Sequence, residues 1–358
     1  MKAGVIGLGK IGFEFGLEKG RSPLASHVGC YIKLLGASNV AVVDVNQSQL
    51  KKVKRHFRSE SPNLFSNFEN MLNTFKPEVV SICTPTNTHA KIACAVAAYP
   101  SVKSIFLEKP IAQSLEETDA IIDACRDHNV KLTVNHQRRW NITYQMIADD
   151  EFKVRSMIGL HPGPLLRTGI HMVDLFNWMA NKQPLYVQAF GNACKNYITD
   201  KSNDYKNYIT DKSNDYNISG IINYEDGVTA TLLSGEQMPY VLFELDLLSE
   251  DMRIRITENG NRVDTYMSQQ SERYSGLKEL QKTWTTFPPK HFNTLETPLY
   301  YAIKEACHFT DPEKNSCSGV EARNALQVAL ALHYSMCSEG CHAVNLDQVP
   351  RDYKVHSY

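Results

Sequence analysis

The chain opens with an apolar run, Lys2-Ala-Gly-Val-Ile-Gly7, that stops at a glycine, and glycine returns at positions 9 and 12. Few patterns restrict a fold as strongly. A strand ending in G-x-G-x-x-G turns tightly at the first glycine, bares its backbone at the second and admits close helix packing at the third. A helix that follows presents unpaired N–H groups to an anion. The pattern carries weight only with a strand before it and a helix after it, and both are expected here. Gly7, Gly9, Lys10, Ile11 and Gly12 are therefore expected to cradle the pyrophosphate of a dinucleotide.

Further strand-like runs follow at Val40–Val45, Glu78–Cys83, Ser104–Leu107 and Lys131–Val134, with helical spacing at His89–Ala98 and Ser114–His128. Strands alternating with helices in this rhythm form βαβ units on a parallel sheet. An α/β Rossmann domain is expected over residues 1–135. Asp44 ends the second strand, where a carboxylate accepts from ribose hydroxyls and repels a 2′-phosphate. That favours NAD, although Lys51 and Arg55 leave NADP open, and Asp44 also suits a plain strand-end turn. The interval from Gly12 to Asp44 exceeds the usual ~20 residues, which points to an insertion around Glu18–His27.

Beyond about residue 150 the rhythm changes. Leu185–Phe190, Tyr216–Tyr224, Val228–Ser234, Val241–Leu248 and Met252–Thr257 are strand-like runs with short polar connections. They read as an antiparallel meander, one face of which needs a helical cover. Thr168–Ala180 and Val320–Ser338 supply it, with apolar residues three and four apart. Residues 136–358 are expected to form an α+β domain with a mostly antiparallel open sheet. Within it, Lys195–Tyr205 is repeated unchanged as Lys206–Tyr216. Two copies are too few for a solenoid. The polar, turn-forming composition predicts a surface loop over 195–216, although its place beside the meander would also let it cover a cleft or extend an interface.

Composition removes several classes of function. A chain of 358 residues exceeds one average core, and 22% charged with 42% hydrophobic residues is ordinary for a soluble protein. A formal net charge of −1 argues against a nucleic-acid partner. The cluster Lys51-Lys52-Val53-Lys54-Arg55 reads as a solvated helix face. Nine scattered cysteines, an odd number, suit buried thiols in a reducing cytoplasm better than a disulfide framework. Cys337, Cys341 and His342 lack a second ligand pair, so no metal is expected. A first strand at Lys2 or Ala3 leaves no room for a signal peptide, and no apolar run reaches the roughly 18–20 residues of a membrane span. The expectation is a cytoplasmic protein with no membrane partner.

In an open parallel sheet, ligands bind beyond the carboxyl ends of the strands. Three segments fall there. Thr84-Pro85-Thr86-Asn87-Thr88-His89 offers hydroxyls and a rigid proline for a nicotinamide ribose, or a simple helix cap at Thr88. Glu108-Lys109-Pro110 sets a cation where cofactor and substrate would meet. Asn135-His136-Gln137-Arg138-Arg139-Trp140 suits a polyhydroxylated or anionic ligand, or an interdomain set of salt bridges.

These marks, with Gly169-Ile-His-Met-Val-Asp174, Asp226-Gly227 and Ser318-Gly-Val-Glu-Ala322, make the chain resemble the glucose–fructose oxidoreductase / inositol dehydrogenase / rhizopine-catabolism (Gfo/Idh/MocA) family over nearly its full length. The resemblance implies hydride transfer between a nicotinamide and a carbon of a sugar, cyclitol or nucleotide sugar. It also implies a homodimer or homotetramer built through the second domain's sheet. Under it, Gly7, Gly9, Lys10, Ile11, Gly12, Asp44, Thr84, Pro85, Thr86, His89, Glu108 and Lys109 bind the cofactor. Lys109 would bond the reacting oxygen, and His171 would exchange its proton, since imidazole titrates near neutrality. Asp174 would orient His171 or touch the substrate, joined by Asn135, Arg138 and Arg139.

The chain departs from the family pattern at one place. The family has an aspartate four residues before the histidine, and here that position is Arg167. A guanidinium stays protonated and cannot act as a base, but it pairs well with carboxylate or phosphate. Arg167 thus points to an acidic substrate. It also keeps open a nicotinamide-binding regulator or scaffold without catalysis; a separate alternative is an oxidoreductase that retains and regenerates its own NAD.

Overall fold

The computed structural model describes residues 1–149, 152–190, 214–235, 240–286, 297–309, 315–338 and 341–357. They form two compact units, Met1–Asn141 with His291–Arg323, and Ile142–Lys290 with Asn324–Tyr358. The chain passes between units at three points, where the sequence suggested one crossing near residue 135.

In the first unit six strands form a parallel sheet: β1 (Ala3–Ile6), β2 (Val40–Val43), β3 (Asn63–Phe65), β4 (Val79–Ile82), β5 (Ser104–Leu107) and β6 (Lys131–Val134). Their order, β3-β2-β1-β4-β5-β6, is that of a doubly wound dinucleotide fold. β1, β2, β4 and β5 are buried at every residue, as strands covered on both faces must be. β3 was not expected, because its three residues start on an exposed asparagine. The helices of this unit are α1 (His27–Leu35), α2 (Gln47–Phe57), α3 (Phe68–Thr74), α4 (His89–Ala97) and α5 (Leu115–Asp127).

No regular helix follows Gly12 directly. The chain leaves at Phe13, and α1 begins only at His27. Yet the N–H groups of His27 and Val28 donate to the carbonyls of Ile11 (3.1 Å) and Gly12 (3.0 Å). α1 therefore resumes the turn abandoned at Gly12, and Phe13–Ser26 is an excursion between two halves of one helix. It starts five residues before the insertion expected at Glu18. Phe13 is buried against His56 and Phe57. At the far end Ser26 caps α1, accepting from the Gly29 N–H.

The second unit is built on a nine-stranded sheet: β7 (Ser156–Pro162), β8 (Pro184–Phe190), β9 (Ser219–Tyr224), β10 (Thr229–Gly235), β11 (Glu244–Leu248), β12 (Met252–Thr257), β13 (Arg262–Gln270), β14 (Lys278–Thr286) and β15 (Val344–Asn345). The order is β14-β13-β12-β11-β7-β10-β9-β8-β15, antiparallel except for the β7–β10 pair. One face is covered by α7 (Ile170–Ala180) and by the later turns of α9 (Gly319–Cys337). Two glycines admit them: a Cβ at Gly159 would strike Met172 and Phe176, and one at Gly220 would strike Leu332. On the other face Tyr186, Phe190 and Ile221 are exposed. α6 (Ile142–Asp149) belongs to this unit, and α8 (Pro298–Ala306) to the first.

Residues 195–213 of the tandem repeat lie outside the described residues. Its last three, Asn214-Asp215-Tyr216, correct the expectation of a surface loop and of a strand from Tyr216. They are irregular, β9 starts at Ser219, and Asp215 is only 6% exposed. Among the described residues no helix is long and apolar enough to cross a membrane, no cluster of His, Cys, Asp and Glu could hold a metal ion, and eight cysteines are free thiols.

Candidate active site

At the carboxyl edge of the first sheet the parallel ladder runs one residue past the strands. The Cys83 N–H donates to Ile6 O (2.8 Å), Glu108 N–H to Ile82 O (3.1 Å) and Asn135 N–H to Leu107 O (2.8 Å). Cys83, Glu108 and Asn135 thus stand side by side, and Thr84, Lys109 and His136 are the first residues beyond the sheet. The motifs picked out by sequence share this edge because each follows a strand of matched register.

The glycine loop takes its shape from its neighbours. Gly7 has φ +94°, and a Cβ there would lie 2.7 Å from Cys83 O. At Gly12 a Cβ would collide with Gly7 O. At Gly9 a Cβ would meet nothing within 4 Å, so this backbone faces open space. Asp44 ties the loop to β2: Oδ2 accepts from Leu8 N–H (2.8 Å) and Oδ1 from Asn46 N–H (2.7 Å). A bare backbone at Gly9 beside a carboxylate fixed at the end of β2 fits a pyrophosphate and its adenosine ribose.

Glu108 is 8% exposed and occupied internally. Its Oε1 lies 2.8 Å from His27 Nε2 and accepts from Asn135 Nδ2 at 2.6 Å. His27 Nδ1 lies 3.0 Å from Ser81 Oγ, which in turn bonds Tyr31 OH at 2.9 Å. Burial pushes the Glu108 carboxyl up, but bonds from His27 and Asn135 and the nearby Lys109 charge overcome it, holding the group below the usual carboxylate range. Glu108 and Asn135, expected to meet cofactor and substrate, thus meet each other; β5 and β6 bring them side by side. Sequence reasoning missed His27, Ser81 and Tyr31, since nothing in a helix-start histidine says that an excursion will deliver it to a strand end.

The Lys109–Pro110 bond is cis and Lys109 is half-buried. His89 fastens the segment after it. Its Nδ1 lies 3.0 Å from Pro110 O and 3.3 Å from Ile111 O, and its Nε2 lies 2.9 Å from Thr84 O. His89 thus joins the loops after β4 and β5 instead of presenting its ring to a ligand. Thr84 Oγ1 accepts from Thr88 Oγ1 (2.7 Å), Pro85 is exposed, and Thr86 is half-buried. Arg139 is also turned inward: it is 6% exposed and donates from Nη1 to Ser316 O (3.0 Å), while Trp140 donates to Glu305 (2.9 Å). Arg138 is half-buried.

In the second unit Arg167 lies in a five-residue π turn, Leu165–Gly169, that runs into α7. His171 is half-buried on the first turn of α7, and Asp174, one turn on, is 1% exposed. A carboxylate so buried acts on its neighbours rather than on a surface. The turn starts at Pro164, which provides no side-chain cap. Instead, Leu165 N–H donates to Tyr216 O (2.8 Å), Leu166 N–H to Asp215 Oδ1 (2.8 Å) and Arg167 N–H to Asp215 Oδ2 (2.9 Å). Asp215 was missed because the polar repeat that contains it reads as loop.

Residues 1–136 match the model of the GFO_IDH_MocA family, described as an oxidoreductase family with an NAD-binding Rossmann fold. The chain is 24% identical over 207 residues to inositol 2-dehydrogenase of Salmonella paratyphi B, a match covering 53% of this chain and 57% of that relative. It is 27% identical over 213 residues to UDP-N-acetylglucosamine 3-dehydrogenase of Acidithiobacillus ferrooxidans, covering 56% of this chain and 60% of the relative. These matches thus span little more than half of each relative. Among solved structures, the WlbA dehydrogenase from Bordetella pertussis, in complex with NADH and UDP-GlcNAcA, superposes with a TM-score of 0.67 at 17% identity, over 96% of this chain and 98% of that one. At that identity the likeness shows the fold. Over residues 1–136 the chain is thus similar to the Gfo/Idh/MocA oxidoreductase family, whose matched domain is described as an NAD-binding Rossmann fold.

Proposed function

We propose that the protein is a nicotinamide-dependent oxidoreductase acting on a CH–OH carbon of a sugar, cyclitol or nucleotide sugar, with NAD the preferred cofactor. Lys109, half-buried at the carboxyl edge beside the glycine loop's sheet, carries this reading. NAD, when bound, supplies the hydride acceptor. Lys109 donates to the substrate oxygen and stabilises its developing negative charge, an effect commonly worth several powers of ten in rate. The hydroxyl proton passes to the His171 imidazole while the C–H bond breaks, so the carbon is oxidised by two electrons as one proton leaves. In the reverse direction His171 returns the proton. Arg167 recognises an acidic group on the substrate, and Arg138 a hydroxyl or a second anion.

The relatives named above act, by their names, on inositol and on UDP-N-acetylglucosamine, which supports the substrate class. The exposed face with Tyr186, Phe190 and Ile221 is assigned to a second copy of the chain, a contact read by light scattering. Nicotinamide absorbance against a panel of neutral, acidic and nucleotide-linked sugars tests the reaction. Lys109→Ala should lose about a thousandfold in kcat/KM and keep NADH affinity within a few-fold. Equal rates for wild type and Lys109→Ala would sink the mechanism. The replacement of the family aspartate by Arg167 favours a second reading, a binder without turnover; NADH binding with no active sugar would establish it.

A further inference from the structure

Helices begin with N–H groups that have no partner within the helix. At the turn before α7 the first three such groups, on Leu165, Leu166 and Arg167, are all met by two consecutive residues from 48 or more positions away, Asp215 and Tyr216. Asp215 is held in turn: Ser357 Oγ donates to its Oδ2 at 2.9 Å. Its neighbours are fixed as well. Asn214 O lies 2.6 Å from His333 Nε2, Asn214 Oδ1 accepts from His356 N–H (2.6 Å), and the Tyr216 ring stacks on His333 at 5.5 Å with 12° between planes. A carboxylate with one oxygen on each of two successive amides fixes both the position and the rotation of that backbone. Its negative charge also suits the N-terminal end of the turn and of α7.

We propose that Asp215 is a positioning residue for the substrate side of the site: by capping the turn it sets where Arg167 and His171 stand. This rests on the reading that those two residues serve the substrate. The chain has no aspartate at position 167, and it uses an aspartate delivered by the end of the tandem repeat to hold that position's backbone. Asp215 acts through Arg167 and exchanges no proton with substrate.

Because Asn203-Asp204-Tyr205 repeats the same three residues, the test uses both the full chain and a chain lacking one eleven-residue copy, so that the second copy cannot replace the first. In each, Asp215→Asn leaves one acceptor where two amides need two. Three quantities are read: deuterium uptake of the peptide spanning the turn, NADH affinity, and kcat/KM for an acidic and a neutral sugar. Uptake at the turn should rise at least tenfold in rate, with the glycine-loop peptide unchanged. NADH affinity should stay within twofold. The ratio of acidic to neutral kcat/KM should fall at least tenfold, and Arg167→Gln should lower the ratio no further when combined with Asp215→Asn. Ser357→Ala, which removes a bond to the carboxylate but none to the amides, should leave the ratio unchanged. Unchanged uptake overturns the cap, and lost protection with an unchanged ratio overturns the positioning. A wild type that turns over no sugar while uptake behaves as expected sinks the activity reading, and the positioning role with it, leaving the cap alone.

Discussion

Glu108 in the first unit and Asp215 in the second are both buried carboxylates, but their surroundings do opposite things. Side chains come to Glu108: His27 and Asn135 bond it, and the strand that carries it is already fixed by register. Asp215 goes to a backbone: it receives the amides of Leu166 and Arg167, and the turn that carries them has no cap of its own. In one place structure holds a charge; in the other a charge holds structure. The parallel ladder leaves nothing to set at a strand end except the state of its side chains, whereas a five-residue turn has a backbone to be set.

The largest expected effect breaks the first half of this comparison. His27→Leu leaves Glu108 buried with one partner fewer, which should cost about 3 kcal/mol of unfolding free energy. The sign with pH follows from the lowered carboxyl. Its stabilisation is complete above the ordinary value of 4.5 and is lost as pH falls through the lower folded value. The urea midpoints of wild type and variant should therefore keep their gap from pH 7 down to the ordinary 4.5 and converge only as the pH falls below it. A gap that persists below the folded value would show that His27 matters by packing rather than by charge.

Next comes Gly9→Ala. A Cβ there meets open space, so stability should stay within about 0.5 kcal/mol of wild type. NADH affinity should fall about tenfold, roughly 1.4 kcal/mol, because the backbone loses its close approach to the pyrophosphate. Fluorescence titration with NADH decides it. Unchanged affinity would mean that this loop is an ordinary turn.

How much was legible beforehand follows from the same contrast. The carboxyl edge could be read because β2, β4, β5 and β6 are short runs rich in β-branched or aromatic residues, and β5 and β6 have the bounds expected of them. The glycine loop could be read because Gly7 and Gly12 answer to atoms within the motif and the neighbouring strand. β7 was hidden because Gly159 and Pro162 interrupt its alternation, although Gly159 is what admits α7. β13 and β14 were hidden because their outward residues are largely polar or exposed. The contacts of His27 and Asp215 depend on chain returns of tens of residues, which no local pattern encodes.

His89 sharpens the comparison from a third side, as a side chain that holds loops together. Burial lowers its imidazole below the ordinary 6.5, partly offset by the carbonyls of Thr84 and Pro110. The unfolded chain therefore takes up its proton first. Stability from this group is present above that value and declines as pH falls from it through the folded pKa. His89→Gln should remove about 1 kcal/mol at pH 8 and flatten the slope between pH 7 and pH 5. An unaltered slope would assign it elsewhere, for example to His333, another histidine that burial lowers.

The smallest effect is expected at Asp264, a carboxylate whose cations stay in solvent. On β13 it accepts from Lys282 (2.6 Å), Thr285 (2.6 Å) and Arg262 (2.9 Å). The Lys282 bond above all, with Thr285 and Arg262 against a smaller burial cost, holds its carboxyl well below the usual range. Such a lowering is stability present above the ordinary 3.8 and lost as pH falls below it. Lys282 is 39% exposed and Arg262 35%, however, so water and salt screen the attraction. Asp264→Asn should cost under about 1 kcal/mol at pH 7, less in 0.5 M salt, and progressively less as pH falls below the ordinary 3.8 toward the lowered folded value. A salt-independent loss as large as that of His27→Leu would show that a carboxylate on this face is held as Glu108 is, and the contrast between a charge held by structure and a charge merely screened at a surface would fail.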